Sequence, residues 1–278
     1  MDLSRRQVVT ASAAVILAPV LSACAQPGGR FKPTVGQAGK DVVWVPTPDG
    51  VVQRMLDMAN VKAGERVVDL GSGDGKIAIA AAKRGAIARG IEYNPDMVAL
   101  SRRNAQAQRV NVDFIQGDIF ALDFTDADVI TLYLLPQLNE RLRPILLDMK
   151  PGTRVASHQF NMGDWEPDRT DDFEGHRALF WVVPAKVAGN WTVRVAGQPD
   201  LPLRLEQRYQ ALEGHGTRGG TAVPLQASRI DGPRISFSLP DATGGVMRFE
   251  GTAGHTGPMK GTVTMADGRR TSFTAERS

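Results

Sequence analysis

The residues with the clearest chemical potential lie in the run Val67-Val68-Asp69-Leu70-Gly71-Ser72-Gly73-Asp74-Gly75. This G-x-G-x-G turn follows a strand-like segment and precedes an Ala/Ile-rich helical one, so backbone can approach a ligand with no Cβ in the way. The acids around it define the ligand. Glu92 closes the next strand-like run, where a carboxylate can accept both hydroxyls of a ribose, and Gly117-Asp118-Ile119 follows the third, where Asp118 can accept from an adenine amino group. Asp69 and Asp74 would repel a pyrophosphate and suit a ligand carrying an amino group and a sulfonium. Lys76 stands where G-x-G-x-x-G needs its last glycine, and no G-K-[ST] occurs, which argues against dinucleotide and nucleoside-triphosphate sites.

The elements that must position these groups alternate. Strand-like runs at 66–70, 87–91, 112–115, 129–135 and 154–157 are separated by helical patterns. One helix starts at Thr47-Pro48-Asp49, with Thr47 as N-cap; others span about 76–83, 95–106 and 138–149, the last carrying Pro144 and expected to kink there. Such alternation predicts an α/β, doubly wound parallel sheet, with 177–183 as an antiparallel edge strand. After Pro184 the pattern switches to seven short alternating runs at 191–195, 203–209, 223–228, 234–239, 246–250, 259–265 and 269–275. These predict a small all-β sandwich or barrel. The expected domains are 41–184 and 185–278.

Further motifs accompany the glycine loop: Trp44-Val45-Pro46-Thr47-Pro48, Leu132-Tyr133-Leu134-Leu135-Pro136, Asn139-Glu140-Arg141-Leu142, Lys150-Pro151-Gly152 and Ser157-His158. With the loop and its acids, they resemble class I S-adenosylmethionine (SAM)-dependent methyltransferases. The resemblance is to small bacterial relatives of the mitochondrial lysine N-methyltransferases that act on the ATP synthase c-subunit and the adenine nucleotide carrier. It covers about 42–184. It implies a Rossmann-like sheet, SAM as donor, no metal, and a protein lysine as acceptor, with a small molecule as second choice. Asp69, Gly71, Ser72, Gly73, Asp74, Gly75, Glu92, Asp118 and Ile119 would then hold SAM. The acceptor side would draw on Tyr133, Pro136 and His158, and on Asp164-Trp165. Each of these has a plainer reading: packing for Tyr133, a structural hydrogen bond for His158, loop anchoring for 164–165. The end of the fourth strand lacks the [DN]-P-P-[YF] run of enzymes that methylate nucleobase or glutamine amino groups, and His176, His215 and His255 have no metal-ligand spacing.

Composition narrows the classes. The chain has 278 residues, 42% of them hydrophobic, and a formal net charge of only +3 from 33 basic and 30 acidic residues, which argues against a nucleic-acid partner. Its single cysteine excludes an internal disulfide. That residue, Cys24, ends Leu21-Ser22-Ala23-Cys24, which resembles a lipobox, after an apolar stretch at 8–21 and a Ser4-Arg5-Arg6 start that resembles a twin-arginine export motif. The reading is a signal peptide at 1–23, a lipid anchor at Cys24, a flexible tether at 24–40, and a membrane-anchored protein facing the periplasm; a cytoplasmic protein is the alternative. Export conflicts with SAM supply, since SAM is made in the cytoplasm. A lipid-anchored binder of SAM or a nucleoside-like ligand, without turnover, is therefore a competing expectation.

Overall fold

The computed structural model describes residues 31–40, 43–241 and 244–278. The export motif, the lipobox and Cys24 lie outside the described residues.

Two short strands, β1 (Gln37–Ala38) and β2 (Val43–Trp44), pair antiparallel ahead of helix α1 (Asp49–Met58). Residues 37–38, expected within a tether, thus carry regular pairing. α1 buries Val51, Val52, Met55 and Leu56 on one face, the stripe that an amphipathic helix sets on a sheet. Its N-cap is Pro48, and no side chain caps it. Thr47, expected in that role, turns its hydroxyl elsewhere.

The chain continues through β3 (Arg66–Leu70), α2 (Lys76–Lys83), β4 (Ile87–Glu92), α3 (Pro95–Ala107), β5 (Val112–Gln116), β6 (Val129–Leu132), α4 (Pro136–Asp148), β7 (Arg154–His158), β8 (Arg169–Phe173) and β9 (His176–Val182). Among the described residues these strands form one seven-stranded sheet in the order β5-β4-β3-β6-β7-β9-β8. β5, β4, β3, β6 and β7 run parallel, and β9 is antiparallel to both β7 and β8. Strand order reverses at β3, so the ends of β3, β4 and β6 open the crevice where such sheets take ligands. The fourth strand stops at Leu132, short of the expected 135, and Tyr133-Leu134-Leu135 lead irregularly into α4. Pro136 is the first residue of α4, where a missing N–H costs nothing, and the helix continues past Pro144.

The 177–183 run is not the edge. β8 lies outside it, joined through Glu174 and Gly175, both at positive φ as a tight hairpin turn requires. β8 reads Arg-Thr-Asp-Asp-Phe, too polar for an apolar alternation to announce it.

The second sheet contains β10 (Gly189–Val195), β11 (Leu201–Arg208), β12 (Ala211–Arg218), β13 (Thr221–Pro224), β14 (Gln226–Asp231), β15 (Arg234–Pro240), β16 (Val246–Thr252), β17 (Met259–Thr264) and β18 (Arg270–Arg277). All described pairings are antiparallel, and the order is β13-β12-β11-β10-β18-β17-β16-β15-β14. Ser228 Oγ of β14 donates to Leu212 O of β12, which brings the two ends of that order together, so the sheet curls almost into a barrel around Trp191, Phe237, Phe249 and Phe273. Nine described strands stand where seven were expected. β12 was missed because His215 lies between two glycines, and Gly214 is needed there: a Cβ on it would fall 2.1 Å from Arg204 O.

Residues 32–278 form one compact unit, and the two sheets meet at Trp165. Its fully buried ring lies against Trp181 and Tyr209, with centroids at 5.9 and 6.1 Å, and its Nε1 donates to Gln210 Oε1 at 2.9 Å. Asp164 accepts from Tyr209 OH at 2.8 Å and from Arg208 at 2.9 Å, and pairs with Arg143. Asp164 and Trp165 therefore join the sheets; neither lines the cavity described below.

Candidate active site

A cavity of about 330 Å³ opens at the ends of β3, β4 and β6, large enough for a nucleoside-sized ligand. Asp69, Gly71, Ser72, Gly73 and Asp74 form its floor, and Glu92, Asp118 and Ile119 continue one wall. The segment before α1 roofs it with Lys40, Trp44 and Thr47, and Tyr133 and Phe160 close the far side.

Besides Asp164 and Trp165, three residues proposed from sequence are not among the lining residues. Gly75 sits beneath the loop as the N-cap of α2; a Cβ there would fall 2.5 Å from the Phe114 ring and 2.8 Å from Ser101 Cβ, so its smallness serves packing. Pro136 starts α4. His158 stands behind Tyr133, with ring centroids 4.0 Å apart.

The acids differ in state. Asp69 is only 2% exposed, and burial pushes its carboxyl up to about 7; a Thr131 Oγ1–H bond at 2.7 Å opposes this, and Asp74 and Glu92 add repulsion. Burial also raises Asp74. Glu92 clamps the loop: its Oε2 accepts from the Gly73 N–H and its Oε1 from the Asn94 N–H, both at 2.9 Å. Lys40 Nζ lies 2.8 Å from Asp118 Oδ2 and holds that carboxyl below its ordinary range, while Asp118 Oδ1 accepts from the Phe120 N–H. Lys40 also sits over the Tyr93 ring, 4.6 Å from its centroid.

On the far wall, Tyr133 stacks toward Phe160 at 6.2 Å, and burial raises its phenol. Phe160 is held through its carbonyl, which accepts from Ser157 Oγ at 2.7 Å and Asn139 Nδ2 at 3.1 Å. His158 is 1% exposed; burial, then the neighbouring His176, pushes its imidazole down to about 4. Its Nδ1 lies 3.2 Å from Thr47 Oγ1 and its Nε2 lies 3.1 Å from His176 Nδ1.

The donor set fits a ligand with a nucleoside at one end and a cation at the other. Asp69 is a buried carboxyl whose side-chain partner is a neutral hydroxyl, so a cation would relieve its cost. Gly73, at φ +54, leaves space that a Cβ would fill, 2.9 Å from Trp44 Nε1. Sequence reasoning gave no role to Lys40 or Phe160. Trp44 stood only within a motif and Thr47 there and as the expected N-cap of α1, and residue type alone did not reveal them as a roof.

Comparison with known proteins agrees with this geometry. Residues 69–169 match a family model described as the ANTKMT methyltransferase domain. Over 131 residues the chain is 40% identical to a protein-lysine N-methyltransferase of Saccharolobus islandicus, covering 45% of this chain and 81% of the relative. It is 34% identical over 130 residues to the ATP synthase c-subunit lysine N-methyltransferase of Rattus norvegicus, covering 46% of this chain and 60% of that one. Among solved structures, an RNA methyltransferase from Salinibacter ruber in complex with S-adenosyl-L-homocysteine is 50% identical, with 51% of this chain and 96% of that chain covered at a TM-score of 0.50.

Proposed function

The chain belongs to the SAM-dependent methyltransferase family of these lysine N-methyltransferases, and we propose that its acceptor is the side-chain amine of a lysine in a protein. One observation carries the reading: beneath the Trp44 roof a single cavity joins the acid and glycine wall to an aromatic wall of Tyr133 and Phe160. The first suits a cationic nucleoside, the second an alkylammonium chain.

SAM, when bound, supplies a methyl group activated for in-line displacement by an amine. The chain's own residues align and shield. Asp69 and Asp74 face the cationic end of the donor. Glu92, its orientation set by two backbone N–H groups, keeps a lone pair on each oxygen for ribose hydroxyls. Asp118 receives the adenine amino group, and Ile119 offers apolar surface beside it. The roof around Trp44 excludes water, which strengthens every polar contact inside. A lysine has a reference pKa of about 10.4, so the site must take up the amine in its neutral form or release its proton.

The Salinibacter ruber protein is called an RNA methyltransferase, which makes RNA the competing acceptor. The charge balance argues against it: 33 basic and 30 acidic residues leave a net charge of only +3, whereas tracking a nucleic-acid backbone calls for an excess of cations. The test is incubation of the full chain with methyl-labelled SAM and a native extract, followed by separation of protein, RNA and small molecules. Label in protein supports the reading; label in RNA or small molecules overturns it.

Location enters as a separate inference from sequence: acylation at Cys24 and a periplasm-facing anchor. The motif Leu21-Ser22-Ala23-Cys24 supports it. Labelled palmitate that persists in Cys24→Ala would overturn it. Membership of a catalytic family favours turnover over binding alone, so an exported form needs SAM delivered to it.

A further inference from the structure

Thr47 occupies the expected capping position of α1 but does not cap it. Its hydroxyl instead meets His158 Nδ1 at 3.2 Å, and His158 Nε2 meets His176 Nδ1 at 3.1 Å. Thr47 is part of the cavity wall and 5% exposed, His158 is 1% exposed, and His176 is half-buried. The three groups form a line of hydrogen bonds from the cavity to the start of β9, beside its hairpin with β8.

Such a line has a direction. A neutral imidazole donates from one nitrogen and accepts at the other, and a partner at one nitrogen fixes the role of the other. Nε2–H is the favoured tautomer of a neutral histidine. With it, His176 presents an accepting Nδ1 inward. His158 must then donate from Nε2 and accept at Nδ1, and Thr47 must donate its hydroxyl proton to that Nδ1. The Thr47 oxygen is left with only lone pairs for the cavity.

Resting on the lysine reading above, we propose that Thr47 Oγ1 is a hydrogen-bond acceptor for the substrate amine, with His158 and His176 as positioning residues that fix its direction. The chemistry selects the ligand. An oxygen already donating to His158 can receive an amine N–H but has no proton for a carboxylate or a carbonyl. The Tyr133 ring, 4.0 Å from the His158 ring and stacked toward Phe160, gives the alkyl chain an aromatic face beside it. Burial keeps His158 neutral across the physiological range, so its Nδ1 lone pair stays available. His158 thus reaches the reaction through Thr47 without touching the acceptor.

Two variants of the full chain, Thr47→Val and Thr47→Ser, test this together with the tautomer of His158 read from its ring nitrogen resonances. Thr47→Val should raise the acceptor KM by about tenfold or more and leave SAM affinity within about twofold, the loss expected for one hydrogen bond to a charged or ionisable partner. Thr47→Ser, which keeps the hydroxyl, should restore most of the loss. His158 should carry its proton on Nε2. A proton on Nδ1, or a Thr47→Val chain that loses SAM affinity with an unchanged acceptor KM, would overturn the proposal; the latter would mark Thr47 as a donor to SAM. Wild-type protein that methylates something other than an amine overturns the lysine reading and this inference together. Lysine methylation that is indifferent to Thr47→Val overturns this inference alone.

Discussion

Trp44 and Gly73 meet across the cavity: the indole Nε1 lies 2.9 Å from the place a Cβ on Gly73 would occupy. The roof before α1 rests on the glycine loop, and its height depends on there being no side chain at position 73. Gly73 also has φ +54, a conformation that costs an L-residue about 1–2 kcal/mol. Gly73→Ala should therefore strain the loop, lift Trp44 and weaken SAM binding by about tenfold. Gly73→Arg should abolish it. Calorimetry checks both, and unchanged affinity in either variant would refute the role given to the loop.

Asp118 and Lys40 separate in a second experiment. Their ion pair is partly exposed, and such pairs contribute about 0–1 kcal/mol. Lys40→Ala should change SAM affinity by no more than about fivefold, whereas Asp118→Ala removes an acceptor from the adenine side and should cost more. Adenosine, which has the base and lacks the cation, should show the same ranking. Equal affinities in wild type and Asp118→Ala would show that the base binds elsewhere.

The Asp69 carboxyl predicts how donor binding depends on pH. Its value of about 7 means that the free site is partly protonated at neutral pH. A cationic ligand favours the ionised form, so binding should release a proton and affinity should rise with pH until it levels above about 7. Calorimetry in buffers of different ionisation heat measures that proton. Asp69→Asn should bind more weakly and without this pH dependence.

The same groups act in opposite senses on stability. His158 is depressed to about 4 from an ordinary 6.5, so its contribution is complete above 6.5 and is lost as pH falls toward about 4. Asp69 is raised to about 7 from 3.8, so its contribution is complete below 3.8 and is lost as pH rises toward about 7. Each is worth about 3–4 kcal/mol at most, and they offset over most of that range. Denaturant unfolding from pH 4 to 7 should therefore show a steeper acid loss in Asp69→Asn than in wild type, with a gain in stability at pH 7. Parallel curves would contradict the buried, mostly protonated Asp69.

Trp165 should matter for stability more than for the donor. Trp165→Ala leaves a cavity between the sheets and should cost about 3–5 kcal/mol. Among molecules that stay folded, SAM affinity should match wild type, because Trp165 does not line the cavity. A selective loss of binding in stable Trp165→Ala protein would return residues 164–165 to the site.

What was legible in sequence was local. Asp69 lies one residue before the end of β3, Glu92 ends β4 and Asp118 follows β5, so strand-like runs and glycines sufficed to bring the three acids to one crevice. Gly75 was assigned to the ligand by its place in the repeat, but whether a glycine faces a cavity or Phe114 depends on packing from β5. The acceptor side was harder because its contacts span the chain. Thr47 and His158 are 111 residues apart, and nothing local to either announces the other. Trp165 looked like a loop anchor near the acceptor because Tyr209 and Gln210, its partners, come from the second sheet. There, β12 hid behind glycines that the close approach of backbone at Gly214 requires.

The most direct test of the central claim is total hydrolysis of protein labelled by the full chain with methyl-labelled SAM, followed by identification of the methylated residue. Methyllysines carrying the label, absent with Gly73→Arg, are the predicted result. Label recovered as a methylated nucleobase, as another amino acid, or outside protein altogether would contradict it.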